Sequence, residues 1–214
     1  MKKFILTDET IEIFGVTLHR IKAVRSFGNV KEGDLGGFVE KEANLSDKFE
    51  AWVSGDAKVW GNAEVWGDAK VYGNAKVSGN AKVWGNAKVY GDAKVYGDAE
   101  VWNNAKVWGN AEVWGDAKVW GDSEVYGDAE VCGDAEVWGN AKVWGNSDYI
   151  VFKNWWSSGR YFTWTRSNNM WSVGCFYGTG EELIKKAYAD SEKSGREYER
   201  VVRFVQSILE DEKQ

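Results

Sequence analysis

From Ala51 to Asn146 the chain sets small and apolar residues against polar ones in a word of six letters, of which Gly67-Asp68-Ala69-Lys70-Val71-Tyr72 is typical, and units of this kind begin sixteen times between Ala51 and Ala141. Ala and Val fall two apart, the period of a short strand, so both point to one side and the charged residue between them to the other. The following Gly-Asp or Gly-Asn supplies a corner, because glycine takes positive φ without a Cβ penalty and the short polar side chain bonds local backbone. At Trp102-Asn103-Asn104 the glycine is replaced by Asn, the residue type next most tolerant of that conformation. Each unit can bury its apolar side only against its neighbours, which predicts a solenoid.

Sorting every third unit separates three unlike columns. One is all tryptophan, Trp66, Trp84, Trp102, Trp120 and Trp138, at 18-residue spacing. The charges two places before them, Glu64, Lys82, Glu100, Lys118 and Glu136, alternate in sign, so turns stacked about 4.8 Å apart would place opposite charges over each other. The corners Asp56, Asn74, Asp92, Asn110, Asp128 and Asn146 alternate as well. These patterns favour a triangular coil of three units. A second column runs Ser54, Tyr72, Tyr90, Trp108, Tyr126, Trp144, and the third Trp60, Ser78, Tyr96, Trp114, Cys132.

The flanks read as caps, giving three segments: 1–50, a small amino-terminal β cap; 51–146, the repeat; and 147–214, a carboxyl-terminal α+β cap. A solenoid end needs such a dissimilar piece, because an open edge would expose both ladder and core. Lys3–Thr7, Ile11–Phe14 and Thr17–Val24 are short β-prone runs of a small antiparallel sheet. Gly33-Asp34-Leu35-Gly36-Gly37-Phe38 lacks phosphate-loop spacing and reads as a tight turn feeding the repeat, while Ala43–Ser46 resembles a degenerate first unit. Beyond Ser147, Arg160–Arg166 and Met170–Tyr177 predict a β-hairpin across Ser167–Asn169. Capping boxes at Thr179–Glu182 and Ser194–Glu197 predict two helices, with apolar stripes Leu183, Ile184, Ala187, Tyr188 and Tyr198, Val201, Val202, Val205, Ile208, Leu209.

Composition narrows the chemistry. With 27 Lys+Arg against 33 Asp+Glu the net charge is -6, which argues against a dedicated binder of duplex DNA. Cys132 and Cys175 make neither a metal-ligand spacing nor a disulfide framework, and Cys175 has no histidine near it to activate a thiolate. No leader-like opening and no apolar run of membrane-spanning length is visible, so the expectation is a soluble, cytosolic protein with free thiols. His19 is the only histidine and has no partner in sequence, so it reads as a strand residue. No catalytic residue, metal site or cofactor is expected.

Short strands with corners every six residues resemble the left-handed parallel β-helix of the hexapeptide-repeat family, although glycine here stands two places after the aliphatic residue rather than one. Together with Arg20–Val24, Gly36-Gly37-Phe38 and Gly174-Cys175-Phe176, the chain is similar to hexapeptide-repeat proteins of bacteria and their phages or prophages. The resemblance implies a mainly β fold of about five to six triangular coils, a phage or prophage setting, and face-to-face packing into homo-oligomers, the trimer favoured. The tryptophan column is the expected self-association face. A weaker expectation is a ligand face for a nucleotide or host protein at Lys70, Tyr72, Lys88, Tyr90, Lys94, Tyr96, Lys106 and Trp108, where rings could stack bases and lysines could meet phosphates. The reading is a non-enzymatic binding or scaffold protein. The alternative, an acyltransferase-like enzyme, is the usual occupation of the family, whose members use a histidine base and a projecting loop; Ala51–Asn146 contains neither.

Overall fold

The repeat folds as sixteen two-residue strands, β4 (Trp52–Val53) through β19 (Lys142–Val143), each a charged or aromatic residue followed by the repeat valine. In this computed structural model, which describes residues 2–212, strands pair in parallel 18 residues apart, as Val53 with Val71, Val59 with Val77 and Val65 with Val83. Three units make one turn, and the stack is a β-solenoid of about six turns with three faces. The repeat alanines and valines from Ala51 to Val143 are at most 1% exposed. Ser123, the one departure from alanine among them, is equally buried and donates its hydroxyl to the Trp120 carbonyl at 2.8 Å.

Cohesion between turns is mostly backbone. In one unit Lys70 N–H donates to Ala87 O at 2.9 Å, Tyr72 N–H to Val89 O at 3.0 Å and Asn74 N–H to Gly91 O at 2.8 Å, and other units repeat the pattern. The side-chain core is thin: each buried valine contributes about 1.5 kcal/mol. Corners need glycine twice over. Gly121 has φ 75°, and a Cβ there would lie 2.8 Å from the Gly139 carbonyl oxygen. Asn103, with φ 58°, holds the same conformation where asparagine replaces the repeat glycine.

The amino-terminal segment comprises β1 (Phe4–Ile13), β2 (Val16–Ala23) and β3 (Leu35–Val39). The two runs expected before Gly15 form one strand, irregular between Leu6 and Thr10. β2 pairs antiparallel with β3, and β3 pairs in parallel with the solenoid strand Lys58–Val59, so the cap extends one solenoid face into an eight-stranded sheet. The expected turn at Gly33–Phe38 is corrected: only Gly33 turns, at φ 91°, and Leu35–Val39 is strand. Its glycines serve close packing, since a Cβ on Gly36 would stand 2.6 Å from Val53 O and one on Gly37 2.5 Å from Ala57 O. Leu45 bridges Val65 in parallel and Ser46 N–H donates to Val65 O at 2.9 Å, so this stretch enters the solenoid register.

The chain divides into two compact units, one ending at Asp148 and one starting at Tyr149. The second unit is an antiparallel sheet of β20 (Tyr149–Lys153), β21 (Tyr161–Thr165), β22 (Met170–Val173) and β23 (Phe176–Gly178) with α1 (Gly180–Asp190) and α2 (Glu192–Asp211). The expected hairpin is β21–β22; β20 adds a strand on one side, and the second predicted run breaks at Gly174–Cys175 into β22 and β23. Phe162, Trp164, Trp171, Leu183 and Val202 form its core. The Thr179 box is present: Glu182 N–H donates to Thr179 Oγ1 at 3.3 Å and Thr179 N–H to Glu182 Oε2 at 2.8 Å. The Ser194 box is not. Ser191 ends α1 and also caps α2, accepting from Ser194 N–H at 3.1 Å, and Gly195 is buried within the helix beside Tyr188. Among the described residues no helix is long and apolar enough to cross a membrane.

Candidate functional site

The tryptophan column stands on one face as a continuous stack. Trp66, Trp84, Trp102 and Trp120 lie at centroid separations of 5.2, 4.9 and 4.7 Å with planes within 8°, and Trp138 follows at 5.0 Å, tilted 33°. The turn spacing explains the stack, because backbone ladders hold successive turns near the distance at which offset rings attract. Trp66, at the start, is 40% exposed, and the four that follow are half-buried. Beside them the charge alternation is realised in register: Lys82 pairs with Glu64 and Glu100, and Lys118 with Glu100 and Glu136. The Lys82–Glu100 ion pair closes to 4.0 Å. A flat row of indoles flanked by neutralised charge is a surface suited to another apolar face.

The eight residues of the expected ligand face fall on two faces. Lys70, Tyr72, Lys88, Tyr90, Lys106 and Trp108 share one, where Tyr72–Tyr90, Tyr90–Trp108 and Trp108–Tyr126 stack at 4.8, 5.9 and 4.8 Å. Trp144 leaves that stack and covers the Gly127 corner. Lys94 and Tyr96 belong to the neighbouring face. There Lys94 Nζ meets Glu112 at 2.5 Å, and Tyr96 donates its hydroxyl to the other Glu112 oxygen at 3.0 Å. Burial, reinforced by that hydrogen bond, pushes the Tyr96 phenol up to about 12, and the Lys94 contact holds the Glu112 carboxyl below its ordinary range. Lys106 is likewise held protonated by Glu124, 2.9 Å away. Lys70 and Lys88, adjacent in the ladder, have no carboxylate within ion-pair distance among the described residues, so the free positive charge of this face sits at its amino-terminal end.

Corners form a third type of row. Asn74 donates its amide to Asp92 at 3.0 Å and Asn110 to Asp128 at 2.9 Å, so the Asn/Asp alternation joins neighbouring turns in hydrogen-bonded pairs. These rows have their polar groups turned toward each other.

Sequence reasoning missed two features at the amino-terminal end. Lys3 is fully buried, donating from Nζ to Ala51 O at 2.6 Å and lying over the Phe27 ring at 5.0 Å; burial lowers its ammonium to about 8. No periodicity singles it out. The other is a cleft of about 360 Å³ whose lining includes Phe27, Trp52, Ser54, Lys70 and Tyr72. Its signal was present in the sequence: Ser54 is the one position of its column without a ring.

His19 lies on β2 with Nδ1 3.2 Å from the Thr7 carbonyl oxygen. Cys175 is exposed in the β22–β23 turn, and Cys132 continues the third column beyond Trp114. Among the described residues no group of three or more His, Cys, Asp or Glu side chains is placed to hold a metal ion. No protein-family model matches the chain, and no curated protein matches it.

Proposed function

We propose that this protein is a non-enzymatic scaffold of the left-handed hexapeptide-repeat kind, self-associating through its tryptophan face, the trimer favoured, and presenting its remaining faces to a host protein or a nucleotide. The observation that carries the reading is the row of five stacked indoles along one flat face. A contiguous apolar row of this length is what an interface core contains, with charged residues confined to its flanks. The resemblance noted in the sequence supports a phage or prophage setting and action in the bacterial cytosol.

The test is the molar mass of the purified chain by light scattering, before and after Trp102→Ser combined with Trp120→Ser. The expected outcome is an oligomer that becomes a monomer with its circular dichroism retained. A mass unchanged by the double substitution would overturn the reading.

A further inference from the structure

The aromatic stack on the tyrosine face stops one turn short of the solenoid's beginning. Eighteen residues before Tyr72 stands Ser54, whose N–H donates to Val71 O at 2.9 Å just as Tyr72 N–H donates to Val89 O at 3.0 Å. The register is intact and only the ring is missing. Nothing refills the space, for Ser54 and Tyr72 both line the cleft of about 360 Å³. Tyr72 is therefore packed on one side by Tyr90, 4.8 Å away, and faces the cleft on the other.

The walls are preformed. Phe27 meets Trp52 edge-to-face at 5.4 Å, and the turn carrying Phe27 is closed by reciprocal backbone bonds with Val30 of 3.0 and 2.8 Å. Polar groups of both signs line it as well: the Asp34 and Glu50 carboxylates, the Lys70 ammonium, and the neutral Asn29 and Ser54. The slot is of mixed polarity, with a flat aromatic wall for a ring and polar groups to orient it, and its volume lies at the low end of the range of small-molecule sites.

We propose that the cleft binds one purine base, as nucleoside or nucleoside monophosphate, stacked on Tyr72 in the place of the missing ring. Stacking on an aromatic wall suits any base and favours the larger purine surface. The carboxylates accept hydrogen bonds from ring N–H and amino groups at the base edge. Lys70 can meet a single phosphate, whereas two carboxylates beside one ammonium disfavour a polyphosphate. The inference deepens the ligand-holding part of the proposed function and rests on that part alone, since one chain builds the whole cleft.

The experiment is calorimetric titration of the full chain with adenosine, guanosine, their 5′-monophosphates, guanosine triphosphate and cytidine, with molar mass measured on the same samples. The expected result is one saturable site per chain for a purine nucleoside or monophosphate, with cytidine and the triphosphate weaker. Ser54→Tyr, which completes the stack, should weaken binding by about tenfold or more. It should leave the melting temperature unchanged or higher, so that lost binding is not lost fold. Trp108→Ser, farther along the same face, should leave affinity unaltered. The proposal is overturned if no purine probe binds, or if Ser54→Tyr binds as the unaltered chain does. Loss of binding in Trp108→Ser with Ser54→Tyr unaffected would move the ligand to the open face, sinking the cleft while keeping the ligand-holding reading. The mass measurement decides self-association independently.

Discussion

The two units use tryptophan in opposite ways. In the solenoid the interior holds alanine and valine, and the indoles of the tryptophan column stand outside in a stacked row; in the carboxyl-terminal unit Trp164 and Trp171 are 1% and 2% exposed at the centre of the core. Geometry decides. A coil of three two-residue strands has an interior filled by one valine and one alanine per unit, with no room for an indole. Its exterior repeats at a spacing that offset rings match. An antiparallel sheet under two helices has no such repeat and needs bulk to fill its space. Stability is therefore spread over many equivalent backbone bonds in one unit and concentrated in a few large side chains in the other.

The sharpest way to break that comparison is to remove one tryptophan from each unit. Trp164→Ala empties a packed core and should cost about 3–5 kcal/mol, read as lost amide protection across the strands and helices that surround it. Trp102→Ala removes two stacking contacts worth about 0.5–1.5 kcal/mol each and leaves the inter-turn backbone bonds in place. Equal losses from the two substitutions would mean that the solenoid, too, depends on its aromatics.

The same contrast governs how much could be read from sequence. In the repeat, one period specifies strand, corner, column and register together, so the alternation of Glu64, Lys82, Glu100, Lys118 and Glu136 predicts neighbours that the pairing contains. In the second unit the expected start of α2 at Ser194 fails because Ser191 serves two helix ends at once, a junction that no local motif encodes. Gly36 and Gly37 read as a turn for a related reason: a tight approach to the backbone of Val53 and Ala57 looks, in sequence, like one. The cleft needs both kinds of information, Ser54 from the column and Phe27 from a loop that returns over it.

Lys3 is the point where the first unit resembles the second, since one buried side chain closes the end of the stack. Its ammonium is lowered by burial from 10.5 to about 8. Below pH 8 the lysine is charged in both states and the folded chain bears the full cost of desolvation. Above that the folded amine sheds its proton first, the unfolded chain binds more protons, and stability rises with pH. The gain between pH 8 and pH 10 should be about 2 kcal/mol, measured by urea unfolding. Above pH 10 the trend should reverse, because Tyr72, Tyr90 and Tyr96 are raised in the folded state and the unfolded phenols ionise first. Lys3→Met should remove most of the rise, leaving the smaller part due to Lys58, whose ammonium burial also lowers, and keep the fall; a rise of undiminished size would assign the effect elsewhere.

The smallest expected effect tests whether the solenoid's outer rows matter to stability at all. Glu112→Gln removes the carboxylate that joins Lys94 and Tyr96 on a partly exposed face. Such a pair is worth about 0.2–1 kcal/mol, because solvent screens it and two long side chains are immobilised to form it. The phenol should respond more clearly than the fold. Without the carboxylate, Tyr96 should titrate below its present value of about 12, yet stay above an ordinary tyrosine, since burial is the larger cause of the shift. Phenolate absorbance followed against pH, with an unchanged melting temperature, would show a surface whose charges adjust without consequence for the stack. On such a surface an unpaired row, as at Lys70 and Lys88, is not needed to hold the turns together. A large drop in melting temperature would instead make the charge rows structural and remove that ground for assigning the two lysines to a ligand.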